Sequence, residues 1–105
     1  MRIVHLCFAG EWKSAQESGY LRAASLQTEG FVHCSAPEQV AATAGRYFQD
    51  ATDLVALQIE TDLLDNPVKH EVAANGEVYP HVYGPINVSA VVDVVVWPPK
   101  IGGGS

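Results

Sequence analysis

Between Leu54 and Trp97 the chain sets down four short runs of apolar and β-branched residues, and the connections between them are brief. Parallel neighbours need a crossover of about a dozen residues or more, so runs this closely spaced pair as antiparallel or mixed strands. The runs are 54–60, 68–72, 77–83 and 91–97. Asp62, Asp65, Asn66 and Pro67 supply turn chemistry after the first, and Asn75-Gly76 is a strong turn signal after the second.

The first half has a different rhythm. Residues 2–8 alternate Ile3, His5 and Cys7 against Val4, Leu6 and Phe8, and two apolar faces predict a covered or central strand. A short helix is expected over 10–18, closed by Gly19. Residues 20–29 read as irregular, and 30–34 as a strand. Ser35-Ala36-Pro37-Glu38 then has the spacing of a helix start, with Ser35 as N-cap, Pro37 in the first turn and Glu38 completing a capping box. The helix is expected over 37–48, burying Val40, Ala44, Tyr47 and Phe48. The fold class is therefore α+β: a split, mixed or antiparallel sheet with two short helices. One domain over 1–98 is expected, with 99–105 as a flexible tail ending in Gly-Gly-Gly-Ser.

Composition narrows the functional classes. Of 105 residues, 48% are hydrophobic and 17% charged, enough apolar material for one core without disulfides or metal. A formal charge of −6 argues against a broad electrostatic grip on nucleic acid or on anionic lipid. With no secretory pattern near the N-terminus and no long apolar segment, the expected location is the cytoplasm, with no membrane partner. Cys7 and Cys34 read as free buried thiols. His5-x-Cys7 and His33-Cys34 lack convincing metal-ligand spacing, so no metal is expected. The phosphate loop GxxxxGK[ST], GxGxxG, GxSxG and HExxH are all absent from the sequence.

All four histidines, His5, His33, His70 and His81, fall in expected strands. One histidine in a strand is ordinarily a satisfied core residue; several converging on one face suggest a site, and buried ones need partners such as Ser35, Glu71 or Tyr83. Tyr79-Pro80-His81-Val82-Tyr83-Gly84-Pro85 forms a stiff strand end. Its rigidity serves either to hold His81 and Tyr83 toward a ligand or to blunt an edge strand, and the prolines suggest an edge or a bend. That edge, near Val78 to Val82, leaves the choice between a monomer and a weak homodimer.

Thr28-Glu29-Gly30-Phe31-Val32-His33-Cys34-Ser35, Pro80-His81-Val82-Tyr83-Gly84-Pro85, Val4-His5-Leu6 and Ser25-Leu26 resemble a small bacterial family, domain of unknown function (DUF) 952. The resemblance covers about residues 2–97 and implies a reduced ADP-ribosyltransferase fold, a split sheet with an NAD-binding cleft. More distantly, Phe31 to Arg46 and the Asn75-Gly76 turn are similar to RNA 2′-phosphotransferases. Those carry an arginine before the histidine run, where Thr28 and Glu29 stand here, and this argues against an RNA substrate. By resemblance, His5, Ser25, His33, Ser35 and Tyr83 bind the nucleotide: His5 and Ser35 on ribose, His33 on the neighbouring ribose or pyrophosphate, and Tyr83 stacked on a ring. Glu71 and His81 are the implied acid/base pair. The function so implied is cleavage of the nicotinamide–ribose bond of NAD, with no metal. The alternative is a module of the same fold that binds a nucleotide or small metabolite without turnover.

Overall fold

The computed structural model describes residues 1–99. The expectation of a flexible tail therefore lies, from residue 100 onward, outside the described residues. Among the described residues eight strands form three antiparallel sheets. In the first, β4 (Leu54–Glu60) lies between β1 (Arg2–Phe8) and β8 (Val91–Trp97), with Ile3 opposite Ile59 and Leu57 opposite Val94. In the second, β2 (Tyr20–Leu21) pairs with β7 (Ile86–Asn87). In the third, β6 (Val78–Val82) lies between β3 (Val32–His33) and β5 (Val68–Val72). The sheet is thus split and antiparallel. The brief connections leave no room for parallel crossovers.

Strand alternation sorts the first sheet into two apolar faces. Ile3, Cys7, Leu57 and Ile59 pack with Val32, Val82, Ile86 and Leu21 of the other sheets. Val4, Leu6 and Ala56 face the opposite way, onto Val40 and Ala44. Fully burying a side chain such as Ile3, Leu57 or Ile59 contributes about 1.5–3 kcal/mol. The sheet is therefore covered on both faces, which is why β1 reads as apolar throughout although it is not the central strand.

There are three α-helices among the described residues rather than two. α1 (Ala9–Ser18) begins where the Phe8 N–H donates to Glu11 Oε1 at 3.0 Å. It ends at Gly19, whose φ of +90° suits glycine and whose N–H donates to Ala15 O at 2.7 Å. α2 (Ser25–Thr28) is a single turn. With β2 it organises the stretch expected to be irregular, which held no periodicity long enough to betray either element.

α3 (Val40–Tyr47) follows a 3₁₀ turn over Pro37–Gln39, and the expected cap is corrected. Ser35 does not cap it. Ser35 exchanges two backbone bonds with Val4, both 2.8 Å, and its Oγ bonds Thr43 Oγ1 at 3.0 Å. The turn starts instead at Ala36, whose N–H donates to Gln39 Oε1 at 2.8 Å, while Glu38 is exposed. Tyr47 is also corrected: Val40 and Ala44 are buried, whereas Tyr47 is 70% exposed at the helix end.

β6 is not an edge either. β5 covers one side of it; β3, continued by Cys34 N–H to Pro80 O at 3.0 Å and Gln39 Nε2 to Val78 O at 2.9 Å, covers the other. Val78 to Val82 therefore presents no free edge for pairing with a second copy. Pro80 is tolerated because its missing N–H faces the side where β3 has already passed its last paired residue, His33. Among the described residues no helix is long and apolar enough to cross a membrane.

Candidate functional site

A cavity of about 850 Å³ opens between β1 and α3 on one side and the β5–β6 hairpin with the β3 segment on the other. This volume lies in the range of small-molecule sites. The fold brings His5, Ser25, His33, Ser35 and His81 to its lining. Glu71 and Tyr83 stand behind His81 rather than on the lining, and His70 lies exposed on β5, away from it.

His81 has the most elaborate support. Its Nδ1–H donates to Glu71 Oε1 at 2.7 Å, and the Tyr83 hydroxyl donates to the same oxygen at 2.6 Å. The Tyr83 hydroxyl foremost, and His81 after it, hold the Glu71 carboxyl below its usual range. The carboxylate in turn raises the Tyr83 phenol above its ordinary value. Lys69 Nζ sits over the Tyr83 ring, 4.8 Å from its centre. The Tyr83 ring is therefore committed to neighbours. Phe31 stacks on His81 with centroids 4.0 Å apart and planes 15° from parallel, and the His33 ring meets both edge-on at 4.9 and 5.2 Å.

His5 and His33 are linked through the backbone. The His5 Nδ1–H donates to His33 O at 2.7 Å, which leaves Nε2 as a lone-pair acceptor. Burial pushes the His5 imidazole below 6.5, so it is neutral at pH 7. His33 Nε2 meets the Glu29 carboxylate and is more exposed. The partners proposed from sequence for the buried histidines were side chains; for His5 the partner is a carbonyl.

Several lining residues were not singled out from the sequence: Thr43 and Arg46 on α3, Asn75 in the hairpin turn, Tyr79 on β6, and Glu11 and Glu29. Asn75 Nδ2 donates to the Tyr79 hydroxyl at 3.2 Å, and the phenols of Tyr79 and then Tyr47 raise the Arg46 guanidinium. Thr43, Arg46 and Asn75 had a signal, since they stood in the segments similar to the phosphotransferases; Glu29 and Tyr79 stood within the sequence motifs without being given a role, and Glu11 looks like an ordinary surface residue. Cys34 also borders the cavity, but burial pushes its thiol well above the ordinary range, so it is an inert wall rather than a nucleophile.

Fold and cleft together define a small α+β protein with a split antiparallel sheet and a histidine-lined cavity at the split. The profile of the family described as "Protein of unknown function (DUF952)" matches residues 6–94, and the chain belongs to that family. The chain is similar to protein CC0527 from Caulobacter crescentus in its X-ray crystal structure, with 32% identity, a TM-score of 0.83, and coverage of 90% of this chain and 84% of that one. It is similar also to the crystal structure of a double mutant of CC0527 (31% identity, TM-score 0.82, 90% and 84% coverage) and to its solution NMR structure (32%, 0.78, 90% and 83%). No curated protein matches the chain.

Proposed function

We propose that the cleft binds a nucleotide-type small molecule and that His81, oriented by Glu71, transfers a proton at the bound ligand; NAD is the substrate to try first. The observation carrying this reading is the hydrogen-bonded series Tyr83–Glu71–His81, which ends on the cavity lining. A carboxylate on Nδ1 fixes the tautomer and leaves Nε2 toward the cavity, an arrangement suited to a general base. Neutral His5 and the Ser35–Thr43 hydroxyls supply hydrogen-bond partners of the kind ribose needs. The resemblance to ADP-ribosyltransferases adds NAD.

With water as acceptor the chemistry balances simply. The C1′–N1 bond of NAD breaks, its electron pair leaves with nicotinamide, the water oxygen bonds C1′, and the water proton passes to His81 Nε2. Glu71 then acts as a positioning residue, since its engaged oxygen lies behind the imidazole. This divides the acid/base pair unequally. RNA is disfavoured by the scarcity of basic residues around the cleft, where Arg46 is the single Lys or Arg among the described lining residues.

The test is a titration of labelled protein with NAD followed by NMR, with chromatographic detection of nicotinamide. Saturable shifts at His5, His33, Ser35 and His81, with release lost in His81→Asn, are the expected result. Saturable shifts without release by wild-type protein would select the binding module instead. No shifts at millimolar NAD would refute the nucleotide reading.

A further inference from the structure

The cleft wall has hydrogen-bonding capacity that the protein does not use, and its pattern specifies a ligand. His5 is 7% exposed, and its Nδ1–H is spent on His33 O. Nε2 has no partner, yet no buried side-chain nitrogen or oxygen among the described residues is both sealed and unpaired. Nε2 therefore opens onto the cavity that His5 lines. It is an acceptor on a ring that burial keeps neutral.

Ser35 and Thr43 supply the complement. Their hydroxyls bond each other at 3.0 Å, which uses one of two O–H protons; the second has no acceptor among the described residues. Both residues border the same cavity. The inner wall thus offers one lone pair and one O–H. A hydroxyl group answers both, donating to the first and accepting from the second. A carboxylate would set its lone pairs against His5 Nε2, and an ammonium could not accept from the hydroxyl.

Arg46 sets the other end. It is exposed at the rim, and its guanidinium is the one Lys or Arg charge on the described lining. The two lining carboxylates face donors of their own: Glu11 holds the Phe8 N–H at 3.0 Å and Glu29 holds His33 Nε2. The guanidinium meets the neutral phenols of Tyr79 and Tyr47 but neither of these two carboxylates, so its charge is left for an anion, and its planar fork suits phosphate.

We propose that the ligand is a phosphorylated sugar, with a sugar hydroxyl between His5 Nε2 and the Ser35–Thr43 pair and its phosphate on Arg46. This rests on the reading of the cleft as a small-molecule site and names what the site selects. The sugar phosphate is either free or the ribose-phosphate part of a nucleotide.

The experiment titrates ribose 5-phosphate, AMP and adenosine into the full chain, wild type and Arg46→Gln, following amide and imidazole nitrogen resonances. Both phosphates should bind saturably and shift His5 Nε2 in the direction of accepting a hydrogen bond. Arg46→Gln should weaken both by roughly ten- to hundredfold, as expected for a charge-assisted contact, and leave adenosine unchanged. Arg46→Lys should recover part of the loss. Equal affinity for ribose 5-phosphate and AMP identifies the free sugar phosphate; tighter AMP identifies the nucleotide. The proposal is overturned if neither phosphate binds at millimolar concentration, if Arg46→Gln weakens adenosine equally, or if His5 Nε2 does not move. Nicotinamide release with neither ribose 5-phosphate nor AMP bound would overturn it while leaving the NAD reading intact. Arg46-dependent binding of both phosphates without NAD turnover would uphold it and defeat the turnover.

Discussion

Replacing Gly84 with alanine tests how the strand bearing His81 is anchored. Gly84 follows β6 with φ at +147°, a backbone conformation that side-chain-bearing residues rarely adopt. Holding alanine there costs about 1–3 kcal/mol. The added Cβ would also lie 2.4 Å from Asn66 Cγ and 2.5 Å from Asn66 Nδ2. Asn66 must then swing away and lose its donation to Pro85 O at 2.8 Å, a further loss of about 1 kcal/mol. Together Gly84→Ala should destabilise the protein by about 2–4 kcal/mol, or about 8–16 °C in Tm for a domain of this size. Urea unfolding measures it, with an unchanged m-value showing that the unfolded state is unaffected. In an Asn66→Ala background the steric part is already relieved, so the same substitution should cost about 1 kcal/mol less. A change under about 0.5 kcal/mol, or an identical cost in both backgrounds, would refute the reasoning.

Two further expectations concern titratable groups. Burial pushes the Cys7 thiol up to about 12 and the Cys34 thiol higher still, so iodoacetamide should label neither in the native protein within minutes and both after denaturation; mass spectrometry reads the count. His5 is held below 6.5 by burial, so the unfolded chain binds a proton that the folded one resists. Its contribution is complete above about pH 6.5 and diminishes as pH falls beneath that value. Glu71, held below 4.5, contributes fully above that value and is lost as pH falls past it, so the two windows separate. Urea midpoints from pH 8 to pH 5 should therefore decline below 6.5 in wild type and flatten in His5→Gln, whose overall stability will be lower; parallel curves would refute the assignment to His5.

The strands over 54–60, 68–72 and 91–97 are legible to the residue because each apolar run is bounded by turn chemistry. β2 and β7 are not, because two residues carry no period; their pairing is decided by partners far apart in the chain, Tyr20 opposite Asn87 and Leu21 opposite Ile86. Ser35 misleads for a physical reason. It has the side chain of an N-cap, but its backbone is taken by Val4, remote in sequence, and its hydroxyl by Thr43, 8 positions on and past the second or third helical amide that an N-cap reaches. For the site, polar residues interrupting apolar strands were a sound signal, and it found His5, His33 and His81 on the lining. It could not find Thr43, Arg46 or Tyr79, since on a helix or a short strand such residues look like a solvated face. Nor could it foresee that the Tyr83 ring would be occupied by Phe31 and Lys69, with its hydroxyl turned to Glu71.

The two backbone bonds between Val4 and Ser35 join β1 to the segment that leads out of β3, and they run along the floor of the cleft. His5 and Leu6 belong to one sheet and His33 and His81 to another, so at the cleft the two are tied by this bridge and by the His5–His33 O bond rather than by a continuous ladder. The consequence is a division of labour under mutation. Changes in the packing of α3 on Ala56 can widen or narrow the gap at Thr43 and Arg46 while leaving in place the lining imidazoles and their partners, none of which lies on α3. A protein built this way can retune which molecule it admits through the α3 wall, keeping its histidines and their partners constant.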